Sequence, residues 1–107
     1  MSYTDETIQA VWDKAKIVDD NDSTIWRKDE CGAWIQRTMY GDRSSGYGWE
    51  IDHILPQAAD DISNLCPLHW KNRIGKGDGR LVCCVTSSGI DNKELADGRT
   101  VLDRANG

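Results

Sequence analysis

The sequence predicts a small α+β domain, and three features carry that expectation. Residues 4–16 have helical period, Trp49 to Leu55 reads as a strand stopped by Pro56, and Arg80 to Thr86 is a β-branched, Cys-rich run with the composition of another strand. A chain of 107 residues fits one domain over 1–107, with a modest core that a metal or a partner chain would help to fasten. With five Trp and no Phe, that core is expected to be built around Trp12, Trp26, Trp34, Trp49 and Trp70, each of whose indole N–H needs an acceptor.

In chain order, Thr4 can cap the first helix, Asp5 and Glu6 suit its positive end, and Ile8, Val11, Trp12 and Ala15 make one apolar stripe. Residues 17–30 show no period and read as a loop that lays Trp26 on the core. Residues 31–40 fit either a short strand or a helical turn, and Gly41 to Gly48 has turn chemistry throughout. After the strand from Trp49 come a polar loop over 57–63, a second short strand over Asn64 to Leu68, and a short helix from His69 to Lys76 that ends near Gly75 or Gly77. The motif core spans 47–80. The tail is polar, weakly patterned and expected to be mobile over 91–107, with fraying from Asp103.

The formal charge of -5 opposes the simplest nucleic-acid reading, since phosphate binding gains from Lys and Arg. Distribution matters more than the sum. Lys71, Arg73, Lys76 and Arg80 fall within ten residues with one acid, Asp78, whereas acids gather at Asp19, Asp20 and Asp22 and at Asp60 and Asp61. A basic strip on an acidic body fits this pattern, and so does an acidic surface that repels or imitates DNA. No apolar run reaches the ~20 residues of a membrane span, and the polar N-terminus is not a signal peptide, so no membrane partner and a cytoplasmic location are expected. The four cysteines, Cys31, Cys66, Cys83 and Cys84, are then expected to be reduced, with adjacent Cys83 and Cys84 facing opposite ways from a strand. Cys66 and His69 have C-x2-H spacing that another cysteine could complete as a zinc site; the plainer reading is buried thiols beside a helix start.

The segment from Trp49 to Asp78 carries chemistry. A carboxylate and an imidazole, Asp52 and His53, end a strand; Asn64 follows a loop; Asn72, Arg73 and Lys76 lie on a helix. Phosphodiester hydrolysis with one metal uses such a set: an imidazole to take a proton from water, a carboxylate to hold a hard cation, an amide to lock the loop. The plainer reading is a strand-end pair bonded for stability, an ordinary turn Asn, and a solvated basic face. Neighbours on a strand point to opposite faces, so Asp52 and His53 share a pocket only if a bulge or the strand's end turns them together.

In their order, Trp49-Glu-Ile-Asp-His-Ile-Leu-Pro56, Ser63-Asn-Leu65, Pro67-Leu-His-Trp-Lys-Asn72 and Lys76-Gly-Asp-Gly79 resemble the HNH endonucleases. Val11-Trp-Asp-Lys14, Trp26-Arg-Lys-Asp29, Cys31-Gly-Ala-Trp-Ile35, Tyr40-Gly41 and Leu81 to Ser87 are similar to small bacterial and phage members of that family, so the likeness spans roughly residues 5–90. The resemblance implies a ββα-metal (HNH/His-Me finger) core with an added N-terminal helix and a C-terminal strand. It implies His53 as general base, Asp52 as a metal ligand with Asn72, Asn64 as the loop-orienting residue, and Arg73, Lys76 and Arg80 as phosphate contacts. The implied cofactor is a divalent cation, magnesium or manganese first and zinc or nickel next.

Two departures from the family pattern matter. Counting forward from Asn64 and back from Lys76, the helical ligand position falls on Arg73, with Asn72 one residue early. A guanidinium has no acceptor and cannot ligate a metal, so either Asn72 serves through a shifted helix register or Arg73 puts its own charge in the ion's place. The loop from His53 to Asn64 is also short, with Ala58-Ala59-Asp60-Asp61 where the family carries glycines. Two functions follow as expectations: a metal-dependent endonuclease acting on DNA, or a catalytically impaired HNH relative of the phage-encoded type that binds and inhibits a nuclease or host defence complex by acidic mimicry of DNA.

Overall fold

The computed structural model describes residues 3–55, 58–74, 80–95 and 101–103. Among these the architecture is α+β, with two α-helices and eight short strands in four antiparallel pairs. Helix α1 (Asp5–Trp12) starts as expected, with the Thr4 hydroxyl accepting from Thr7 N at 3.1 Å. It ends sooner than the apolar stripe suggests. The buried Arg27 guanidinium donates to the carbonyls of Asp13 at 2.9 Å and Ala15 at 3.3 Å, and Lys16 leaves the helix to exchange backbone bonds with Lys28. Residues 17–30 therefore contain strand β1 (Trp26–Lys28), not loop alone. Its partner β2 (Trp34–Gln36) and a following 3-10 turn (Arg37–Met39) divide the segment that fitted either strand or turn.

Strand β3 (Trp49–His53) pairs with β4 (Leu65–His69) in a continuous register from Trp49↔His69 to His53↔Leu65, and β4 runs directly into helix α2 (Trp70–Ile74). This hairpin has two covered faces. Trp49, Ile51 and Leu65 pack with Ile8, Val11, Trp12 and Ile35 as the main core, while Cys66 and Leu68 join Leu81 and Cys83 on the other side. Gly48 is needed where the turn meets β3, because a Cβ there would lie 1.9 Å from the Asp42 carbonyl oxygen. The indole N–H groups of Trp12, Trp34, Trp49 and Trp70 all find backbone acceptors, although only Trp12 and Trp49 belong to the main core.

The run Arg80 to Thr86 is not one strand. It breaks at Cys83-Cys84 into β5 (Arg80–Val82), paired with β8 (Val101–Asp103), and β6 (Val85–Ser88), paired with β7 (Asp91–Glu94). The cause is local. The N–H groups of Cys84 and Val85 both donate to Asn72 Oδ1 at 2.8 Å, and Cys83 is bonded to Cys31. The expectation of four reduced cysteines is thus corrected: Cys31–Cys83 is a disulfide, and Cys66 and Cys84 are thiols. Within the tail, 91–94 and 101–103 are strands, and residues 96–100 and 104–107 lie outside the described residues. No helix among the described residues is long and apolar enough to cross a membrane.

Candidate functional site

The regular β3–β4 register has no bulge, so alternation sends Glu50 and Asp52 to the face covered by α2 and His53 to the opposite face. Asp52 is 3% exposed. Across from it stands Arg73, whose Nε lies 3.6 Å from Asp52 Oδ1 and whose Nη1 donates to Glu50 Oε1 at 2.9 Å. Glu50 also accepts two bonds from Arg43, at 2.7 and 2.9 Å. The Arg43 bonds hold the Glu50 carboxyl below the usual carboxylate range, against partial burial that pushes it up, and Arg73 adds to the lowering. Two carboxylates and two guanidiniums thus form one near-neutral cluster on this face.

His53 belongs to a different cluster. Its Nε2 is 2.9 Å from Asp60 Oδ1, which also accepts the Tyr3 hydroxyl at 2.8 Å. A neutral imidazole that donates through Nε2 has Nδ1 as its basic nitrogen. Burial and the bond to Asp60 raise the Tyr3 hydroxyl above its ordinary value. Asn64 bridges the two ends of the loop. Its Oδ1 accepts from Leu55 N at 2.9 Å, and its Nδ2 donates to the carbonyls of Leu55 at 3.0 Å and Ala59 at 3.1 Å, cinching the short acidic loop.

Asn72 does not come to this site. It is 0% exposed and turned to the far side of α2, where Nδ2 donates to Asp29 Oδ2 at 2.9 Å and to the Val85 carbonyl at 3.1 Å while Oδ1 accepts the two β6-edge N–H groups. The amide expected to ligate a cation beside Asp52 is occupied elsewhere. Lys76 lies outside the described residues, as does the side chain of Arg80; Lys71, from the same basic strip, pairs with Glu94 at 2.7 Å.

No family model, curated protein or solved structure matches the chain. Of the three cysteines that could complete a zinc site with Cys66 and His69, Cys31 and Cys83 are bonded to each other, and the Cys84 thiol is turned to the Val82 carbonyl at 3.7 Å. His69 meanwhile accepts Lys71 N at 3.1 Å on Nδ1 and reaches the Gly46 carbonyl at 2.8 Å with Nε2. Burial pushes the His69 imidazole below its usual value.

The divalent cation implied by the HNH resemblance is a poor fit to the residues as arranged. Beside Asp52 stands a guanidinium, which repels a cation and offers it no lone pair. Among the described residues no three acidic, imidazole or thiol side chains converge as a cation site.

Three residues escaped the sequence reading. Glu50 could have been found, since it lies two positions before Asp52 on a strand and so shares its face. Asp60 was visible as an acid in the short loop, but its pairing with His53 depends on the loop's path. Asp29 stood within a segment quoted for the resemblance, but nothing in its neighbours indicated burial. It is a buried carboxylate that accepts from Cys31 N, Ala33 N, His69 N and Asn72 Nδ2, and desolvation pushes its carboxyl up against the pull of those bonds.

Proposed function

We propose that this chain is an HNH-type protein in which Arg73 takes the place of the catalytic cation, and that it acts by binding, not by cutting. The β3–β4 hairpin running straight into α2 supports the ββα part of this reading. The observation that carries the loss of cutting is the Arg73 guanidinium set between Glu50 and Asp52. An ionised Asp52 gains from that arginine what it would otherwise gain from a metal ion, so a divalent ion has to displace a charge already in place. The partner proposed is a protein complex that itself binds DNA, such as a nuclease or defence complex. The exposed acids Asp19, Asp20, Asp22, Asp60 and Asp61 and the charge of -5 suit a basic surface.

The test is incubation of supercoiled plasmid with the protein and magnesium, manganese, nickel or zinc in turn. No nicking and no manganese-binding heat by calorimetry is the expected result. Metal-dependent nicking that disappears in His53→Ala would overturn the proposal.

That outcome would favour the second reading, a metal-dependent DNA endonuclease, which has one observation of its own. His53 is partly exposed and held by a carboxylate, with Asn64 fixing the loop beside it, as a general base requires. In this reading His53 takes a proton from water while Asp60 orients the ring.

A further inference from the structure

Three aromatic rings away from the hairpin site line one cleft. Trp26 of β1, Trp34 of β2 and Tyr47 from the turn before β3 meet Asn21, Ile90 and Asp91 around a volume of about 260 Å³. The Trp26 ring stands at 84° to Trp34 and at 87° to Tyr47, with centroids 6.3 and 5.0 Å apart, so the rings form a corner and not a stack. Trp26 and Tyr47 are half-buried, whereas Trp34 is buried, with 6% of its surface exposed.

The corner is fixed by polar bonds that satisfy the backbone and indole groups of buried Trp34. Asn92 clamps the Trp34 backbone from both sides, accepting from its N–H at 2.7 Å and donating to its carbonyl at 2.9 Å. The Trp34 indole donates to the Gly89 carbonyl at 2.7 Å, and Tyr47 Oη lies 3.5 Å from Asp91 Oδ1. These contacts bring the tip of the β6–β7 hairpin, with Asp91, to the rim of the aromatic wall.

The charge around the cleft is negative. Asp91 is exposed at its rim, and Asn21 sits in a loop whose neighbours Asp19, Asp20 and Asp22 are all exposed. Bonds from Thr24 hold the Asp22 carboxyl below its ordinary value. Lys28 Nζ lies 4.7 Å from the Trp34 centroid, so one ring of the set already receives a cation from outside the cleft.

We propose that the Trp26–Trp34–Tyr47 corner with Asp91 binds a small organic cation, an alkylated ammonium group of the size of tetramethylammonium. Aromatic faces attract such a group through their negative quadrupole, and a carboxylate at the rim adds charge complementarity. A nucleobase could stack on the same rings, but its phosphate would be carried toward four exposed acids. The volume is also below the ~300–1,000 Å³ typical of sites for drug-sized ligands, which suits one ammonium head and not a whole nucleotide.

The experiment follows the five indole N–H signals by NMR during titration with choline, with 3,3-dimethylbutanol as its uncharged counterpart and with thymidine monophosphate. Choline is expected to saturate at the Trp26 and Trp34 signals, with Trp12 and Trp49 unmoved as internal controls. The uncharged counterpart is expected to bind about tenfold more weakly, in the range of a cation–π contribution. Asp91→Asn, a change at an exposed side chain, should weaken choline several-fold without altering the fold. Equal binding of the uncharged compound, tighter binding of the nucleotide at the same signals, or no saturable shift with choline would each overturn the proposal.

Discussion

Replacing Arg73 by Asn separates the two readings of the hairpin site most sharply. Asn is a better ligand than arginine for a hard cation, and at this position it faces Asp52 across the space the guanidinium now fills. Removing one partner of a buried ion pair costs about 3–5 kcal/mol. Here the figure needs discounting, because the Arg73 side chain is 41% exposed and Glu50 keeps its bidentate partner Arg43. A loss of about 2 kcal/mol remains, mostly from Asp52, and for a domain near 100 residues it lowers the thermal midpoint by on the order of 10 °C. Manganese should then restore stability in the variant, because a ligand that binds only the folded state at about 100 times its Kd adds ~2.7 kcal/mol. The parent protein should show no manganese-dependent shift. Thermal unfolding of both proteins, with and without manganese, checks this. A parent protected by manganese as well as the variant is, or a variant as stable as the parent without metal, would refute the assignment of the cation's place to Arg73.

Three further outcomes follow from the same contacts. Reduction of Cys31–Cys83, which closes a separation of 52 residues, should cost about 4 kcal/mol on the chain-entropy account, read from urea unfolding with and without reductant; four reactive thiols in the denatured, unreduced protein would show that the bond is not formed. Asp29→Asn should cost about 3–5 kcal/mol, because an amide N–H2 would then oppose two of the four N–H donors that now meet a carboxylate, and a variant within ~1 kcal/mol of the parent would refute the hub. The folded Glu50 carboxyl sits below its ordinary value near 4.5, so its contribution is complete above that pH and is lost as pH falls through the folded value. Glu50→Gln should therefore flatten the acid limb of the stability-pH curve, and an unchanged limb between pH 5 and 3 would count against it.

Local signals made much of this fold legible. Thr4 as a cap, a strand opening at Trp49, and the turn chemistry of 41–48 are each set by neighbours in sequence, and each is present, although the strand closes at His53 and not at Leu55. What could not be read depends on partners far along the chain. Arg27, in a segment with no period, ends α1 by donating to carbonyls beyond Trp12. Val85 and Cys84 have strand composition, yet their N–H groups go to a side chain more than ten residues earlier. The same holds at the site: Asp52, His53 and Asn64 could be picked out as residue types at a spacing, but their partners Arg73, Asp60 and Leu55 follow from packing.

The orientation of α2 decides between an amide and a guanidinium beside Asp52, and what sets it lies on the helix's other side. Residues 72 and 73 point about 100° apart, so only one of them can face β3. Asn72 makes four hydrogen bonds to Asp29, Val85 and Cys84, all directed away from Asp52. Turning the helix to bring Asn72 to Asp52 would break all four, at about 1 kcal/mol each, and would remove one donor from the buried Asp29 carboxylate besides. That total is comparable with the 5–15 kcal/mol by which a whole domain of this kind is stable. A register shift of α2 is therefore opposed by the Asp29–Asn72–β6 network, and a ligand for a cation at Asp52 has to come from changing residue 73 itself.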